Sequence, residues 1–368
     1  MLRPRDLSSG RRVWARGWRT EPALDPRPRI QPGPHSVPAR PGARSRTGPA
    51  PGALSAAGLA FLAATRLFPR DEKEHQNMED EIILLIKKAK LSAMTGNLED
   101  ADHFLHQALN LAQQSHNNQA ISYTYIQMAN LAFLRGDLLN AEKLFKAAMG
   151  FLLGSGTQQD DNAVIEMSLK LCSIYASTEQ HSLAVEGYKW CIETLEEKVQ
   201  SQKTVPEETL SADEKDNTRL LLGMSLDSCA RYLVSQKQLE LAASLYEKAL
   251  AICQQVQGET HPQAVVLMND LATVLDMKGH HDQAYEYVKR ASNLAKETSH
   301  PDEYVIHSNL AGVLMHRGNY SEAKQVYEEA LKQAESKGDK PVIERIRKGM
   351  EELQAKTVKS QVLGETSH

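Results

Sequence analysis

The feature that most constrains the fold of this chain is a pair of small residues, seven positions apart, that recurs six times. Seven residues make two turns of an α-helix, so both members of a pair lie on one helical face. Twelve positions before each pair, beyond a turn signal, stands another small residue, which predicts a second helix meeting that face. The pairs are Ala101/Ala108, Ala141/Ala148, Ala184/Cys191, Ala242/Ala249, Ala284/Ala291 and Ala323/Ala330, and the preceding residues are Ala89, Ala129, Cys172, Ala230, Ala272 and Ala311. The chain therefore repeats one helix–turn–helix unit, which is typical of a helical solenoid.

The residues between the two helices of a unit support this interpretation. Glycine adopts the positive φ that ends a helix, and four units place a glycine at this point. These are Gly96, Gly136, Gly279 and Gly318. The third and fourth units have Glu179-Gln180-His181 and Lys237-Gln238-Leu239 instead, so there the turn is predicted from its length without a glycine signal.

The motif Ala-x3-aromatic-x2-Ala on the second helix resembles the tetratricopeptide repeat. It occurs at residues 141–148, 242–249 and 323–330. The chain lacks the family's Trp on the first helix, and only Pro262 and Pro301 match its proline after the second. Successive pairs lie 40, 43, 58, 42 and 39 residues apart, longer than the family's period of about 34 and similar to the repeats of kinesin light chains. The resemblance implies an all-α solenoid of about six repeats over residues 79–338.

Two segments depart from the repeat pattern. The 58-residue spacing contains an insertion at about residues 197–217, rich in charged and hydroxyl side chains, which we interpret as a helix extension followed by a solvated loop. After the last repeat, residues 339–356 predict a capping helix that begins near Pro341. Its apolar stripe consists of Ile343, Ile346, Met350 and Leu353. One apolar stripe with a charged reverse side suits a cap, and residues 357–368 are predicted to be a disordered tail.

The first 70 residues differ sharply from the rest in charge. They contain 13 Arg, no Lys and three acidic residues, a net charge of +10, whereas the whole chain carries −4. An Arg-rich, acid-poor leader is typical of a mitochondrial transit peptide, so residues 1–70 are predicted to be one. The alternative is a disordered basic tail that binds nucleic acid or a membrane surface.

An uncharged, mostly apolar segment lies inside this leader, at residues 53–65. Thirteen helical residues span about 20 Å, short of the roughly 30 Å hydrocarbon core of a bilayer. The segment is compatible with a marginal membrane anchor, an interfacial helix or a removed part of the leader. A secretory signal is disfavoured because the preceding stretch is long and broken by prolines.

Motifs for catalysis are missing from the sequence. There is no phosphate-binding Gly-rich loop, nucleophile elbow or His-Glu-x-x-His run, so we expect no enzyme, no catalytic residue and no cofactor. The four cysteines lack metal-ligand spacing and are predicted to be structural thiols in a reducing compartment. His103, His106 and the pair His280-His281 have no carboxylate or cysteine partner at ligand spacing, so no metal site is predicted.

The resemblance implies that the first helix of each repeat lines a groove that binds proteins. Carried over position by position, it assigns the following residues to that groove: Lys90, Tyr123, Ile126, Asn130, Phe133, Met224, Asp227, Arg231, Val234, Val266, Asn269, Thr273, Asp276 and Met315. Asn side chains there are suited to bond the backbone of an extended peptide, and Lys90 and Arg231 to hold a carboxylate. The alternative for each position is that it packs only against the neighbouring helix.

The order of residues over 79–350, with the segments 81–92, 120–133 and 188–198 above all, is similar to a mitochondrial branch of the tetratricopeptide repeat family. That resemblance implies a protein of the inner membrane, on the matrix side, without a nucleic-acid partner. It implies binding to respiratory complex III and help in clearing fragments of its Rieske iron–sulfur subunit. The alternatives are a cytosolic adaptor in membrane scission during cell division, and a cargo adaptor, which the absence of a heptad segment before Glu79 disfavours.

Overall fold

The computed structural model of this chain describes residues 72–206 and 208–365, which form thirteen α-helices and no β-strand. The chain divides into two compact units between Leu221 and Leu222. The helices are α1 Glu72–Met94, α2 Leu98–Gln114, α3 Asn118–Leu134, α4 Leu138–Gly154, α5 Asn162–Ser177, α6 His181–Gln202, α7 Ala212–Ser235, α8 Leu239–Gln257, α9 Pro262–Met277, α10 His281–Glu297, α11 Glu303–His316, α12 Tyr320–Lys337 and α13 Lys340–Glu365. The prediction of an all-α fold of tetratricopeptide type is confirmed. The predicted leader, with its apolar segment 53–65, lies outside the described residues.

Neighbouring helices pack through the small residues that the spacing singles out. Within unit 1, α1 packs on α2 and α3 on α4, and within unit 2, α9 packs on α10 and α11 on α12. Every member of the six pairs, and each small residue before them, is at most 2% exposed. Larger side chains complete each unit's core, among them Phe145 in unit 1 and Leu314 in unit 2. None of the helices in the described part of the chain is long and apolar enough to cross a membrane.

The turn inside each repeat has one geometry whether or not it contains glycine. Gly96 and Gly136 adopt φ values of 81° and 78°, and Glu179 and Lys237 adopt 60° and 59° at the equivalent points. In all six repeats the next residue donates its N–H to the carbonyl five positions earlier, as Gln180 does to Tyr175 at 2.9 Å. This closing bond is the Schellman arrangement. It holds Glu179 and Lys237 in a conformation that disfavours non-glycine residues by about 1–2 kcal/mol.

The third repeat accommodates a larger residue at its helix contact through a compensating glycine. Five repeats have Ala at the close position of the first helix and a large residue fifteen positions later; these are Phe104, Leu144, Leu245, Tyr287 and Val326. The third repeat has Cys172 and, fifteen positions later, Gly187. A Cβ added at Gly187 would lie 2.4 Å from the Sγ of Cys172. The sulfur therefore occupies the space that a side chain on α6 fills elsewhere.

The insertion after the third repeat is more helical than the sequence analysis expects. Helix α6 extends to Gln202 and α7 already begins at Ala212, so residues 203–211 alone separate the two helices. Ser211 and Glu214 form a capping box, in which the Glu214 N–H donates to the Ser211 Oγ at 3.3 Å and the Glu214 carboxylate accepts from the Ser211 N–H at 3.0 Å. The predicted helix extension and the loop after it are both present, but this local signal starts α7 at Ala212, so residues 212–217 are helical where the loop is expected.

The C-terminal helix is longer than its prediction. Helix α13 begins at Lys340 and continues to Glu365, beyond the predicted end at residue 356, so residues 357–365 are helical where a disordered tail is expected. Asp339 caps the helix by accepting from the Val342 N–H at 3.2 Å. Ile346 and Leu353 of the predicted stripe are buried. The helix continues because no proline follows Pro341 and no glycine interrupts between Gly349 and Gly364.

Candidate partner-binding surface

The candidate residues lie on the first helix of each repeat. These are α1, α3 and α5 in unit 1, and in unit 2 the part of α7 from Leu222 on, α9 and α11. Within unit 1, α3 contacts α1 directly, and within unit 2, α11 contacts α9. The side of these helices that carries the candidates is called the first-helix face of the unit. In unit 1, Asn117 caps α3 by accepting from the Ala120 N–H and donates to the Glu79 carboxylate of α1 at 3.2 Å, which sets the two helices in register.

Two aromatic rings on α3 are covered by lysines from the neighbouring first helices. The ammonium of Lys90 donates to the Tyr123 hydroxyl at 2.8 Å and lies 5.3 Å from the centre of its ring. The Lys170 ammonium of α5 lies 5.2 Å from the centre of the Phe133 ring. Each such contact contributes about 0.5–2 kcal/mol. The structure therefore brings Lys90, Tyr123 and Phe133 to one face. Lys170 is a member of that face that the sequence analysis missed.

Ile126 and Asn130 stand between those two rings on α3. Residues 123, 126, 130 and 133 follow the three- and four-residue spacing of one helical face. Both side chains are half-buried. Across the described residues no hydrogen bond engages the amide of Asn130. An Asn amide has one acceptor oxygen and two donor hydrogens, so this position keeps its full bonding capacity for a partner.

In unit 2, Asp227 and Arg231 form a paired cluster on α7. The guanidinium Nε and Nη2 donate to the two oxygens of the Asp227 carboxylate at 2.9 and 2.5 Å. Gln263 of α9 donates to the same carboxylate at 3.5 Å. The charge of Asp227 raises the pKa of Arg231. Because Arg231 already holds an internal carboxylate, the geometry argues against the expectation that it holds a partner's carboxylate.

Asp270 of α9 is the acidic group beside this pair, and the sequence analysis missed it. Its desolvation raises its pKa to about 6, against an opposing effect of Arg231. The Asn269 amide donates to it at 3.4 Å. Burial also raises the pKa of Tyr246, which packs nearby. Asp270 is adjacent to Asn269 in sequence, but only the packing of α9 brings it to the cluster.

The amide of Asn269 is already occupied. Its oxygen accepts from the Asn309 amide of α11 at 2.9 Å, and its own amide hydrogen bonds Asp270. Thr273 is exposed and donates its hydroxyl to the Asn269 carbonyl at 2.9 Å. Asn269 therefore joins two successive first helices. Thr273 offers mainly its acceptor oxygen to a partner.

The apolar candidates of unit 2 differ in accessibility. Met224, Val234 and Val266 are half-buried on the first-helix face. Met315 is 3% exposed and packs in the core of the unit. Its assignment as a groove residue is therefore corrected. It fails because that position of α11 faces the core, and the spacing of the alanines does not show which side of the helix is covered.

A cluster of two histidines and a carboxylate closes this face of unit 2. Nδ1 of His281 lies 2.8 Å from Asp276 Oδ1, and Nδ1 of His316 lies 2.8 Å from Asp276 Oδ2. Desolvation acts to raise the pKa of Asp276, but hydrogen bonds from both histidines outweigh it and lower that pKa. The hydrogen bond to Asp276 raises the pKa of His316. The statement that His281 lacks a carboxylate partner is therefore wrong. The missed signal is that His316 follows Asp276 by 40 residues, about one repeat.

Comparison with known proteins agrees with this arrangement. Two family models, both described as tetratricopeptide repeat, match residues 226–297 and 308–333. The solved apo form of RapI is 15% identical, with a TM-score of 0.55 over 72% of this chain and 68% of that chain, which shows likeness of fold alone.

Curated relatives extend the match across most of the chain. Tetratricopeptide repeat protein 19, mitochondrial, of Rattus norvegicus is 51% identical over 307 residues, which are 81% of this chain and 84% of that protein. The Homo sapiens protein of the same name is 50% identical over 279 residues, which are 76% of this chain and 73% of that protein. Identity at this level over such a length, together with the repeats described above, shows that this chain belongs to the tetratricopeptide repeat protein 19 family.

Proposed function

We propose that this chain is a mitochondrial, non-enzymatic scaffold that binds respiratory complex III at the inner membrane, on its matrix side, and helps to clear fragments of the Rieske subunit. The observation that carries the proposal is the 51% identity, over 81% of the chain, to a relative whose name includes the word mitochondrial. The Arg-rich composition of residues 1–70 supports the same compartment. The complex III partner comes from the resemblance described under Sequence analysis.

The first-helix face of unit 1 is the part of the molecule best suited to hold a partner segment. An extended peptide presents both N–H and C=O groups, and the unengaged amide of Asn130 is able to bond both. Ile126, Tyr123 and Phe133 surround it with half-buried apolar surface. A few polar anchors within an apolar lining are the usual composition of a peptide-binding face.

Unit 2 is less suited to direct capture of a peptide end. Arg231 is paired with Asp227, and the Asn269 amide is bonded to Asn309 and Asp270. A substitution at Arg231 would leave the largely buried Asp227 carboxylate without its main partner, and an unpaired buried charge destabilises the folded state. Loss of binding after Arg231→Ala would therefore report on folding as much as on the partner. Asn130→Ala is the more informative variant.

The test is affinity capture from detergent-solubilised mitochondria with the full chain as bait. We expect complex III subunits, the Rieske subunit among them, to be enriched above background. Asn130→Ala should reduce that enrichment at unchanged helical content. Asn110→Ala is the matched control, because Asn110 is an exposed asparagine of α2 away from the first-helix face. If no complex III subunit is enriched, the proposed partner is refuted. If Asn130→Ala captures as much of the complex as Asn110→Ala, the assignment of the first-helix face as the binding surface is refuted.

The compartment is tested separately from the partner. Residues 1–70 fused to a fluorescent reporter should direct it to mitochondria, and replacing the 13 Arg of that segment with Gln should abolish the import. The physical reason is that the membrane potential draws positive charge inward. A diffuse cytosolic signal from the unmodified fusion would overturn the mitochondrial proposal and favour the cytosolic adaptor.

A further inference from the structure

We propose that Asp276, His281 and His316 form a binding site for a divalent transition-metal ion, Zn²⁺ in the first place, with at least one coordination position open. The three side chains come from the end of α9, the first residue of α10 and the last residue of α11. One ligand atom from each lies within 4.8 Å of the other two. The site belongs to unit 2 and does not depend on the proposed function.

The distances suit coordination after a small expansion. Zn²⁺ binds His nitrogen and carboxylate oxygen at about 2.0–2.2 Å, which places neighbouring tetrahedral ligands roughly 3.3–3.5 Å apart. The Nδ1 atoms of His281 and His316 lie 2.8 Å from the Asp276 oxygens. The two imidazole rings are inclined to each other at 42°, with centres 5.3 Å apart. Each ring therefore has to retreat by about half an ångström to admit an ion.

The donor set selects the class of metal. Two imidazoles and one carboxylate suit Zn²⁺ and its first-row neighbours. The hard cations Ca²⁺ and Mg²⁺ require about six oxygen ligands, and one carboxylate supplies too few. Three protein ligands leave a tetrahedral ion with one further position. A water molecule, or a donor side chain of a bound partner, would fill that position.

The surroundings of the cluster favour a cation. Helices α9 and α11 both end here, and α10 begins here. Two helix C-termini, each with about half a unit of negative charge, outweigh one N-terminus with about half a unit of positive charge. Arg317, which follows His316 in the sequence, is held by Asp282 at 2.9 Å and lies over the Tyr285 ring. From α13, Glu352 and Lys356 act on His316 with opposite signs, and they pair with each other at 3.4 Å. The local positive charges thus have acidic partners of their own.

The test is titration of the purified full chain with Zn²⁺ alone, followed by calorimetry or by competition with a zinc indicator. We expect His281→Ala and His316→Gln each to weaken the affinity for one equivalent of Zn²⁺ by more than about 100-fold. Loss of a residue that only supports a metal ligand weakens metal affinity by about 10–100-fold, so a larger effect indicates the loss of a ligand. His316→Gln retains an N–H donor for Asp276, so the fold is kept while the ligand is lost. His280→Ala is the matched control, since His280 is an exposed histidine outside the cluster.

A second readout separates metal binding from structural support. Zn²⁺ should raise the thermal midpoint of the unmodified chain and of His280→Ala, because an ion that binds only the folded state stabilises it. It should leave the midpoint of His316→Gln unchanged. Equal Zn²⁺ affinity in the unmodified chain and both cluster variants would overturn the proposal. A loss of Zn²⁺ affinity in His280→Ala as large as that in His281→Ala would also overturn it.

Discussion

Gly187→Ala is the substitution whose effect follows most directly from the packing of the third repeat. The added Cβ would lie 2.4 Å from the Sγ of Cys172 and 3.8 Å from its Cβ. Cys172 is 2% exposed, so its sulfur has little free space into which it could move. Overpacking of this kind costs about 1–3 kcal/mol. The gain in helix propensity from Gly to Ala returns about 0.5–1 kcal/mol, so we expect a net destabilisation of about 1 kcal/mol.

The effect of Gly187→Ala on the free energy of unfolding should change sign when the sulfur of Cys172 is removed. In the Cys172→Ala background the 3.8 Å neighbour remains and the 2.4 Å neighbour is gone, so only the propensity gain persists. Gly187→Ala should then stabilise by about 0.5–1 kcal/mol. The coupling energy between the two positions is accordingly about 1–3 kcal/mol, in the range observed for residues in contact.

Urea unfolding of the four proteins of this cycle, followed by circular dichroism, measures that coupling. Gly150→Ala on α4 is the matched control, since a Cβ there would meet no atom within 4 Å, and it should stabilise by about 0.5–1 kcal/mol in either background. The slope of each unfolding curve should stay constant, so that midpoints report stability. Equal destabilisation by Gly187→Ala with and without Cys172 would refute the steric argument.

Two further substitutions test unit 2. The folded-state pKa of Asp270 is about 6 against an ordinary 3.8, so ionisation of this carboxyl opposes folding. As the pH rises from about 4 to above 6, the unmodified chain should lose up to about 3 kcal/mol of stability relative to Asp270→Asn. Urea unfolding measures this difference, and a difference that does not change with pH would contradict the prediction. Gly349→Ala would place a Cβ 2.6 Å from the Tyr327 hydroxyl, and overpacking of this kind costs about 1–3 kcal/mol. The substitution should therefore lower the thermal midpoint and speed hydrogen exchange in α13. The exposed neighbour Lys348→Ala should change neither, and unchanged exchange in Gly349→Ala would show that α13 is not packed as described.

The repeat architecture is predictable from the sequence because close contact between two helix backbones depends on residue size at a fixed spacing. Ala101 and Ala108, like every other pair, are buried where the seven-residue interval places them. The first-helix candidates of α3 also share a face, since the helical period alone aligns Tyr123, Asn130 and Phe133. These are local properties, and the sequence carries them directly.

The availability of each candidate residue depended on the tertiary structure. Arg231 is held by Asp227, Met315 faces the core, and Asn269 is bonded to Asn309. Each outcome depends on the rotation of one helix about its axis and on what the next repeat places beside it. Spacing within one helix contains neither quantity.

The small-residue pattern determined which helices meet, and the stacking of repeats decided which polar groups meet. Asp276 and His316 are 40 residues apart and lie within hydrogen-bonding distance because α9 and α11 are neighbouring first helices in unit 2. Helix contact is a short-range steric requirement that a residue satisfies by its own size. A polar cluster requires the positions of several helices at once, so it exists only once the repeats have packed.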